Sequence, residues 1–417
     1  MSSLKLNRVS TKVFGDVIVR GSKSISNRIL IIRELSGTSH PVENLSLSDD
    51  TKCLHDHLRR INNNNNPGLP LEVDAKNAGT VARFLTAFLA YKKGNWIVTG
   101  NQRMKQRPIK GLVDGLRQLG AQITYKEEEG FLPLLIIGGH LKSNDIEVDV
   151  TESSQFISAI MMLGPLLNDG LKINFKWKPV SFPYIEMTIS IMQDFGAKIE
   201  LHEKGIKIAP TPYVLKPCKS ESDWSSASYW YETIALSDEG EIRIPELGKN
   251  SLQGDSILAD IYKQFGVKTI FDTNGIKLIK TGNAVKSFSF NFEDYPDIVP
   301  AVMTTCAALH INSEYHNIGH LEFKESNRIT ALSQELEKIG AILTKVKNSY
   351  HLTTNIKEPD TNLVFNTYGD HRIAMCLSPL VLKFMNIEIN DPNVVNKSYP
   401  EFWDELKKLK FAVLKTD

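Results

Sequence analysis

Six times along the chain, a short polar segment is followed by a run of Ala, Leu, Ile and Met. Apolar positions three and four residues apart predict helices, and the polar residues mark their N-terminal ends. The segments are GSKSISNRILII from Gly21, NAGTVARFLTAFLA from Asn77, ESSQFISAIMML from Glu152, DWSSASYWYETIAL from Asp223, PDIVPAVMTTCAAL from Pro296 and GDHRIAMCLSPL from Gly369. From the second segment onward they begin about 70 to 75 residues apart, which indicates an internal repeat.

A second pattern keeps the same interval. A glycine that follows a predicted helix and precedes an alternating, strand-like segment is typical of the left-handed residue that ends a helix. Such glycines are Gly120, Gly196, Gly266 and Gly340. The first and last repeats have Asn62 and Lys410 at the corresponding place, and Lys410 departs from the pattern because lysine rarely adopts that conformation.

Strand-like alternation lies between the predicted helices, in NWIVTG, LPLLIIGG, IEVDV and KINFKW. Repeats of about 70 residues are longer than ordinary solenoid units, so the pattern predicts α/β (α+β) modules. A chain of 417 residues is too long for one hydrophobic core. We therefore predict six modules in two domains, three modules in each.

Composition narrows the class of protein. Lys and Arg total 49 against 48 Asp and Glu, which gives no reason to expect a nucleic acid or an anionic membrane as partner. The four cysteines are far apart and contain no Cys-x-x-Cys pair, so we expect no zinc site and a reducing compartment. The N-terminal MSSLKLNRVS has no apolar core, which leads us to expect a cytoplasmic protein without a signal peptide.

The first polar segment, Gly21 to Arg28, combines three serines with Lys23 and Arg28 at a predicted helix start. Free backbone N–H groups, the helix dipole and two cations together make an anion site. The alternative is an ordinary helix cap with cations facing water. The segment is not a Walker A loop, because Ser22 rather than Lys follows Gly21. If the six helix starts converge on one cleft, their dipoles act on a shared anion.

Ten motifs then carry a family resemblance. In chain order they are GSKSISNR, NAGT, RPI, SSQF, SASY, NSLQGD, PD, KESNR, GDHR and KSYPEF. Their order and spacing resemble the 5-enolpyruvylshikimate-3-phosphate synthases over essentially the whole chain. The resemblance implies the enolpyruvyl transferase fold, with two domains of three βαβαββ modules that close on the substrates. We accordingly expect domains at 20–220 and at 1–19 plus 221–417.

The resemblance also implies a reaction. The family transfers the enolpyruvyl group of phosphoenolpyruvate to the 5-hydroxyl of shikimate 3-phosphate by addition and elimination, releasing phosphate without a cofactor or metal. This step belongs to the shikimate pathway and to aromatic amino acid biosynthesis. We expect a monomer whose partners are these two substrates, with the active site in the cleft between the domains.

Site residues follow position by position from the motifs. The resemblance assigns to catalysis Asp297, Glu325 and Lys23. It assigns to shikimate 3-phosphate Lys23, Ser24, Arg28, Ser153, Ser154, Gln155, Ser181, Tyr184, Asp297, His320 and Lys324, with the phosphate site in domain 20–220. It assigns to phosphoenolpyruvate Lys23, Asn77, Gly79, Arg107, Gln155, Arg328, His371, Arg372 and Lys397, with much of this site in the other domain. For SSQF the alternative is a plain helix cap, and for His371 it is a ring that only shapes the pocket.

Charge supports the assignment independently. The two substrates together carry about five to six negative charges, because each has a carboxylate and a phosphate monoester. Seven cationic side chains of the motifs, set against Asp297 and Glu325, leave a matching positive excess. The seven are Lys23, Arg28, Arg107, Lys324, Arg328, Arg372 and Lys397.

Several positions depart from the family pattern. The segment His320-Leu321-Glu322 stands where many relatives have a segment that contains Asn and Arg. Asn327 stands where Asp is common, and Phe84 stands where Pro is frequent. We expect the change at Asn327 to be tolerated. Gly79 keeps the small residue linked to glyphosate sensitivity, whereas Phe84 could shift its helix, so the sequence leaves that sensitivity open.

Two other functions compete with this one. The UDP-N-acetylglucosamine enolpyruvyl transferases share the fold and phosphoenolpyruvate, but they use a loop cysteine as proton donor, and no cysteine here lies in such a motif. The second alternative is a non-catalytic protein that binds phosphorylated metabolites. Simple binding would not need Asp297 and Glu325 in a strongly cationic site, so these two carboxylates favour an enzyme.

Overall fold

The structure is a computed structural model, which describes residues 2–38, 40–64, 68–149, 153–214, 216–282, 284–355 and 363–416. Its strands are β1 Ser3–Asn7, β2 Lys12–Asp16, β3 Val42–Glu43, β4 Leu71–Asp74, β5 Gly94–Thr99, β6 Gln122–Tyr125, β7 Leu134–Gly138, β8 Asp145–Val148, β9 Leu171–Phe175, β10 Ile199–His202, β11 Gly205–Ile208, β12 Cys218–Lys219, β13 Glu239–Pro245, β14 Val267–Asp272, β15 Gly275–Lys280, β16 Ser287–Asn291, β17 Asn312–His316, β18 Ala341–Val346, β19 Ser349–Thr354, β20 Leu363–Phe365, β21 Asn386–Asn390 and β22 Ala412–Thr416.

Its α-helices are α1 Lys23–Ser36, α2 Asp49–Asn62, α3 Gly79–Tyr91, α4 Gln102–Lys105, α5 Lys110–Gln118, α6 Ser154–Met161, α7 Pro183–Asp194, α8 Trp224–Leu236, α9 Leu258–Lys263, α10 Val299–Ala308, α11 Arg328–Glu337, α12 His371–Leu377, α13 Val381–Phe384 and α14 Phe402–Lys408. Short 3-10 helices occur at Gly164–Leu166, Gly254–Ile257, Gly319–Phe323, Ser378–Leu380 and Pro392–Lys397. Each predicted apolar segment is a helix, although the predicted start at Glu152 lies outside the described residues.

The chain divides into two compact units, one formed by Met1–Ser22 with Glu221–Asp417 and the other by Lys23–Ser220. In unit 23–220, two modules follow the order strand, helix, strand, helix, strand, strand, with sheets ordered β4-β5-β7-β6 and β10-β11-β9-β8. In each sheet the two strands that come first along the chain pair in parallel, β4 with β5 and β8 with β9. The other pairings are antiparallel. The third module is reduced, since α1 and α2 accompany only the parallel pair β3 and β12.

The other unit holds three complete modules, whose sheets are ordered β14-β15-β13-β2, β16-β17-β19-β18 and β20-β21-β1-β22. In the last sheet the N-terminal strand β1 lies between β21 and β22, antiparallel to both. The predicted α/β fold of six βαβαββ modules is therefore confirmed, with one module reduced to two strands.

The helix ends explain the second repeat. The four glycines all have positive φ, between 76° and 97°, as the pattern predicts. Lys410 also adopts φ 66°, so the repeat imposes this conformation even on a side chain that disfavours it. The expectation for Asn62 was wrong, because Asn62 is the last residue of α2, and Asn63, which follows it, has φ −90°.

Hydrophobic helices form the centre of each unit. All 13 residues of α8 are buried, and α3 is buried at every residue except Tyr91, as expected of helices that are apolar on all sides. Cys306 and Cys376 are buried free thiols, whereas Cys53 and Cys218 are only half-buried. Among the described helices, none combines the length and apolar character needed to cross a bilayer.

One ionisable group lies inside this core. The Glu232 side chain in α8 is fully buried, and neither carboxyl oxygen has a hydrogen-bond partner among the described residues. The ionisable groups that face it are Tyr262 of α9, Cys306 of α10 and Cys376 of α12, none of which is a cation. Burial raises the pKa of Glu232 well above its usual value, so the side chain is held in its neutral form.

This carboxyl should make the unit less stable as the pH rises. The folded state keeps this proton at pH values at which the unfolded chain has lost it. The contribution of Glu232 to the free energy of unfolding is therefore largest below pH ~4.5 and declines as the pH rises toward the folded pKa. We expect Glu232→Gln to gain stability over the wild type by up to about 1.4 kcal/mol per pH unit above that point. Urea unfolding at pH 5 and pH 8 measures this, with the half-buried Glu241→Gln, whose carboxylate pairs with Lys277 at 3.0 Å, as control. A gain equal at both pH values would contradict it.

Candidate active site

In unit 23–220, the guanidinium of Arg28 is buried and, among the described residues, its hydrogen-bond acceptors are neutral oxygens. It donates to the hydroxyls of Thr188 at 2.7 Å and Ser158 at 3.2 Å, and to the carbonyls of Ser24 at 2.8 Å and Tyr184 at 3.2 Å. Burial lowers the pKa of Arg28 to about 10, so the group stays charged at neutral pH. A buried cation with neutral acceptors favours a bound anion.

Phe84 contributes to the same place. The helix α3 runs without interruption through this residue, whose side chain is fully buried. The guanidinium carbon of Arg28 lies 5.3 Å from the centre of the Phe84 ring, within cation–π range. The phenylalanine therefore supports Arg28 at a position where relatives often have proline.

Lys23 opens α1 and pairs with an acid that the motifs did not include. Its Nζ lies 3.1 Å from Oδ2 of Asp50, which is in the first turn of α2. Both side chains are largely buried, and Asp50 sits where the helix dipole favours a negative charge. The pair holds the Lys23 ammonium in a defined place.

Gly79 and Arg107 are neighbours, as predicted. Arg107 is buried and donates to the carbonyl of Asn77 at 3.3 Å. A Cβ added to Gly79 would lie 2.8 Å from Nη2 of Arg107 and 2.5 Å from Nη1 of Arg83. Any side chain at this position would therefore have to displace these two guanidinium groups.

The SSQF segment begins α6. Ser153 is its N-cap, and its Oγ accepts from the backbone N–H of Gln155 at 3.3 Å. Ser154 is buried and Gln155 is half-buried, with its Oε1 accepting from Arg83 at 3.1 Å. A capped helix start still presents backbone N–H groups to an anion.

Ser181 precedes α7 and has φ +54°. Its carbonyl accepts from the backbone N–H of Tyr184 at 3.1 Å, and its side chain is buried. A left-handed conformation at a serine stores strain, and such strain is typical of ligand sites.

In the other unit, Arg328 is the centre of a buried ionic cluster. This first residue of α11 contacts three carboxylates, through Nη1 to Asp297 at 3.2 Å, Nη2 to Glu325 at 2.8 Å and Nε to Asp370 at 2.8 Å. Its side chain is 1% exposed. The two predicted catalytic carboxylates are thus brought together by one guanidinium.

Asp297 is held by a second arginine. Nη2 of Arg372 lies 2.8 Å from its Oδ2, and Nη1 donates to its backbone carbonyl at 3.2 Å. Burial alone would raise the pKa of Asp297, but Arg372, Arg328 and Lys324 outweigh it and hold the pKa well below its usual range. Asp297 is therefore ionised at neutral pH.

Asp370 orders the segment around the arginines. It caps α12, where Oδ1 accepts from the backbone N–H of Arg372 at 2.9 Å, and its Oδ2 accepts from Ser326 at 3.1 Å. The His371 ring is fully buried, with Nδ1 3.7 Å from Oδ1 of Asp370. This geometry is compatible with both roles considered for His371.

His320 lies in the 3-10 helix Gly319–Phe323. Burial and then the charge of Lys324 lower its pKa to about 3, so the ring is neutral at pH 7. Its Nε2 is buried without a hydrogen-bond partner among the described residues. A neutral ring nitrogen of this kind is suited to a substrate hydroxyl.

Lys397 ends the 3-10 helix Pro392–Lys397, which packs against α12.

One further motif, NSLQGD, supports the start of α8. Oδ2 of Asp255 accepts from Ser225 at 2.5 Å, and Oε1 of Gln253 accepts from the backbone N–H of Trp224 at 3.0 Å. Burial and the nearby charge of Asp297 raise the pKa of Asp255. Asn327 caps α11, accepting from the N–H of Thr330 at 3.1 Å, which explains why Asn can replace Asp there.

Three residues at these sites had no role predicted from the sequence: Asp50, Asp370 and Arg83. Asp370 and Arg83 stand inside or next to quoted motifs, so their position was the available signal, whereas Asp50 lies in none. Asp50 and Asp370 each neutralise a motif cation. The positive excess is therefore smaller than the motif count suggested.

Known proteins are similar in sequence to this chain over nearly its whole length. The family model described as EPSP synthase (3-phosphoshikimate 1-carboxyvinyltransferase) matches residues 8–406. A 3-phosphoshikimate 1-carboxyvinyltransferase of Bacteroides fragilis is 41% identical over 94% of each chain. One of Shewanella woodyi is 34% identical over 98% of this chain and 100% of its own.

Solved structures show the same fold. An EPSP synthase from Acinetobacter baumannii superposes with a TM-score of 0.77 at 20% identity, and both chains are covered completely. The enolpyruvyl transferase NikO from Streptomyces tendae gives a TM-score of 0.73 at 15% identity, over 100% of this chain and 99% of its own. At these identities the likeness concerns the fold.

Proposed function

The chain belongs to the EPSP synthase family, whose named relatives are 3-phosphoshikimate 1-carboxyvinyltransferases, and we propose the residues by which it performs that transfer. It is a transferase of the shikimate pathway, with shikimate 3-phosphate and phosphoenolpyruvate as substrates. The observation that carries the residue assignment is the cluster in which Asp297 and Glu325 share Arg328.

The two units would supply complementary groups to one pair of substrates. Ser153, Ser154 and Ser181 would bind the phosphate of shikimate 3-phosphate, and Ser24 and Arg28 its ring substituents, with Tyr184 nearby. Lys324 and His320 of the other unit belong to the same set. We also propose, from the sequence, that the units close on the substrates and that the protein is a cytoplasmic monomer.

Phosphoenolpyruvate would bind to the remaining cationic side chains. Their planar forks suit its carboxylate and phosphate. This set comprises Lys23, Arg107, Arg328, Arg372 and Lys397, with Asn77, Gly79, Gln155 and His371 beside it. When the substrate's anionic groups engage Arg328 and Arg372, Asp297 loses part of its cationic stabilisation. Its pKa then rises toward that of a useful base.

The chemistry has two stages. Asp297 takes the proton of the 5-hydroxyl as that oxygen attacks C2 of phosphoenolpyruvate, and protonated Glu325 gives its proton to the C3 methylene. In the tetrahedral adduct Glu325 takes back a proton from the new methyl group. The C2–O bond to phosphate then breaks, with Lys23 stabilising the departing bridging oxygen.

A phosphate-release assay on the full chain tests the function. We expect phosphate to appear only when shikimate 3-phosphate and phosphoenolpyruvate are both present. Release with UDP-N-acetylglucosamine instead would favour the other enolpyruvyl transferase. Tight binding of shikimate 3-phosphate without any release would favour a non-catalytic protein.

Gly79→Ala should selectively weaken phosphoenolpyruvate binding. The added Cβ must displace the guanidinium groups of Arg83 and Arg107, from which it would lie 2.5 and 2.8 Å away. We expect the KM for phosphoenolpyruvate to rise about tenfold, equivalent to ~1.4 kcal/mol. Gly248→Ala is the matched control, because its Cβ would meet no atom within 4 Å. An unchanged KM in Gly79→Ala would refute the close approach.

A further inference from the structure

Arg83 links several predicted substrate-binding groups, although none of the quoted motifs assigns it a role. Its side chain, on a residue 3% exposed, donates through Nη1 to Oε1 of Gln155 at 3.1 Å. Nη2 donates to the carbonyl of Pro108 at 2.9 Å. The guanidinium carbon also lies 5.5 Å from the centre of the Phe156 ring. These contacts hold the guanidinium from three sides.

The contact with Gln155 fixes the direction of an amide. A guanidinium carries only donors, so the group that faces it must be the amide oxygen and not the amide nitrogen. Ser153 already accepts from the backbone N–H of Gln155, which fixes the residue at its main chain too. The NH₂ group is therefore left as a donor on a half-buried side chain.

The contact with Pro108 serves a different neighbour. Pro108 follows Arg107 directly, and the guanidinium groups of Arg83 and Arg107 both lie close to Gly79, side by side. Arg83 therefore touches the backbone that carries one predicted phosphoenolpyruvate ligand and the side chain predicted to cover shikimate 3-phosphate. Its two donor arms can be tested separately, because only one of them acts through Gln155.

We propose that Arg83 is a positioning residue that makes Gln155 a hydrogen-bond donor toward shikimate 3-phosphate, an inference that rests on the proposed function. The Arg83 side chain acts through Gln155 and does not itself contact the substrate. Removing it would let the amide turn over and present either atom to the ligand. The loss should appear in the KM for shikimate 3-phosphate and not in kcat.

A double-mutant cycle on the full chain tests this role. Arg83→Met, Gln155→Met and the double variant are compared with the wild type in steady-state kinetics for both substrates. We expect Arg83→Met to raise the KM for shikimate 3-phosphate about tenfold in the wild-type background. In the Gln155→Met background the same change should raise it less than about twofold, because the amide is already gone. The part of any effect on the KM for phosphoenolpyruvate that acts through Pro108 should be equal in both backgrounds.

Controls separate this role from general damage. Arg117→Met removes an arginine of the same unit that donates to the carbonyl of Ile123 at 2.7 Å, and it should change neither KM. If Arg83→Met fails to fold, Arg83→Lys keeps a buried cation with fewer donors and enters the same cycle.

The outcomes distinguish the proposed role of Arg83 from the proposed function of the chain. An equal rise in the KM for shikimate 3-phosphate in both backgrounds, or no rise in Gln155→Met alone, would overturn the inference while wild-type turnover keeps the proposed function. A wild type that does not convert shikimate 3-phosphate would overturn the proposed function itself.

Discussion

Glu325→Gln is expected to lower kcat by about 10²- to 10⁴-fold while leaving shikimate 3-phosphate bound with nearly unchanged affinity. A general acid and base typically contributes a factor of this size, and Gln can neither give nor take the methylene proton. Binding should persist because Gln keeps the volume and can still accept from Nη2 of Arg328, which lies 2.8 Å from Glu325. Steady-state kinetics and calorimetric titration measure the two quantities.

The matched control is Glu322→Gln, three residues earlier in the same segment. Glu322 accepts from the hydroxyl of Tyr350 at 3.1 Å and belongs to no predicted catalytic set. We expect this variant to turn over at close to the wild-type rate. Wild-type kcat in Glu325→Gln would remove Glu325 from the mechanism, and equal losses in both variants would indicate damage to the segment.

Arg328→Met is expected to cost about 3–5 kcal/mol of unfolding free energy and to abolish turnover. It leaves Asp297, Glu325 and Asp370 buried near one another without their shared cation, and breaking such a pair on one side is strongly destabilising. Urea unfolding followed by fluorescence of Trp224 and Trp230, in the same unit, measures the loss. Arg243→Met, at a half-buried residue whose partner Asp272 is 3.7 Å away, should cost less than about 1 kcal/mol.

The loss should also depend on pH. Because the arginines lower the pKa of Asp297 in the folded state, their stabilising effect is present above the unfolded pKa of ~3.9 and is lost as the pH falls through the lower folded value. The difference between wild type and Arg328→Met should therefore shrink below about pH 4. A loss of equal size at pH 3 and pH 7 would contradict the ionic origin.

The repeat made the fold predictable. Helix starts and glycine ends recur at one interval, so the modules could be read without any contact information, and Gly120 and its counterparts have the predicted conformation. Lys410 adopts φ 66° after the end of α14, although lysine disfavours that conformation, whereas Asn62 still lies inside α2. The backbone there is set by the packing of each module and only partly by the residue type.

The candidate site was predictable residue by residue only where a motif marks it. Arg328, Asp297 and Glu325 stand in quoted motifs, and the structure brings them within ion-pair distance. Asp50 was not predictable, since its pairing with Lys23 depends on how α1 and α2 pack. The direction of the Gln155 amide likewise depends on Arg83, a contact across 72 residues that periodicity does not encode.

The proton exchange at the methylene carbon, which we assign to Glu325, should leave an isotopic label in the product when the reaction runs in D₂O. The full chain is incubated in D₂O with shikimate 3-phosphate and phosphoenolpyruvate, and the products are analysed by mass spectrometry. We expect an enolpyruvyl adduct of shikimate 3-phosphate that carries deuterium in its vinyl group, because the methylene carbon gains a solvent-derived proton before elimination. Phosphate release without that adduct, or an adduct free of deuterium, would contradict the proposed mechanism.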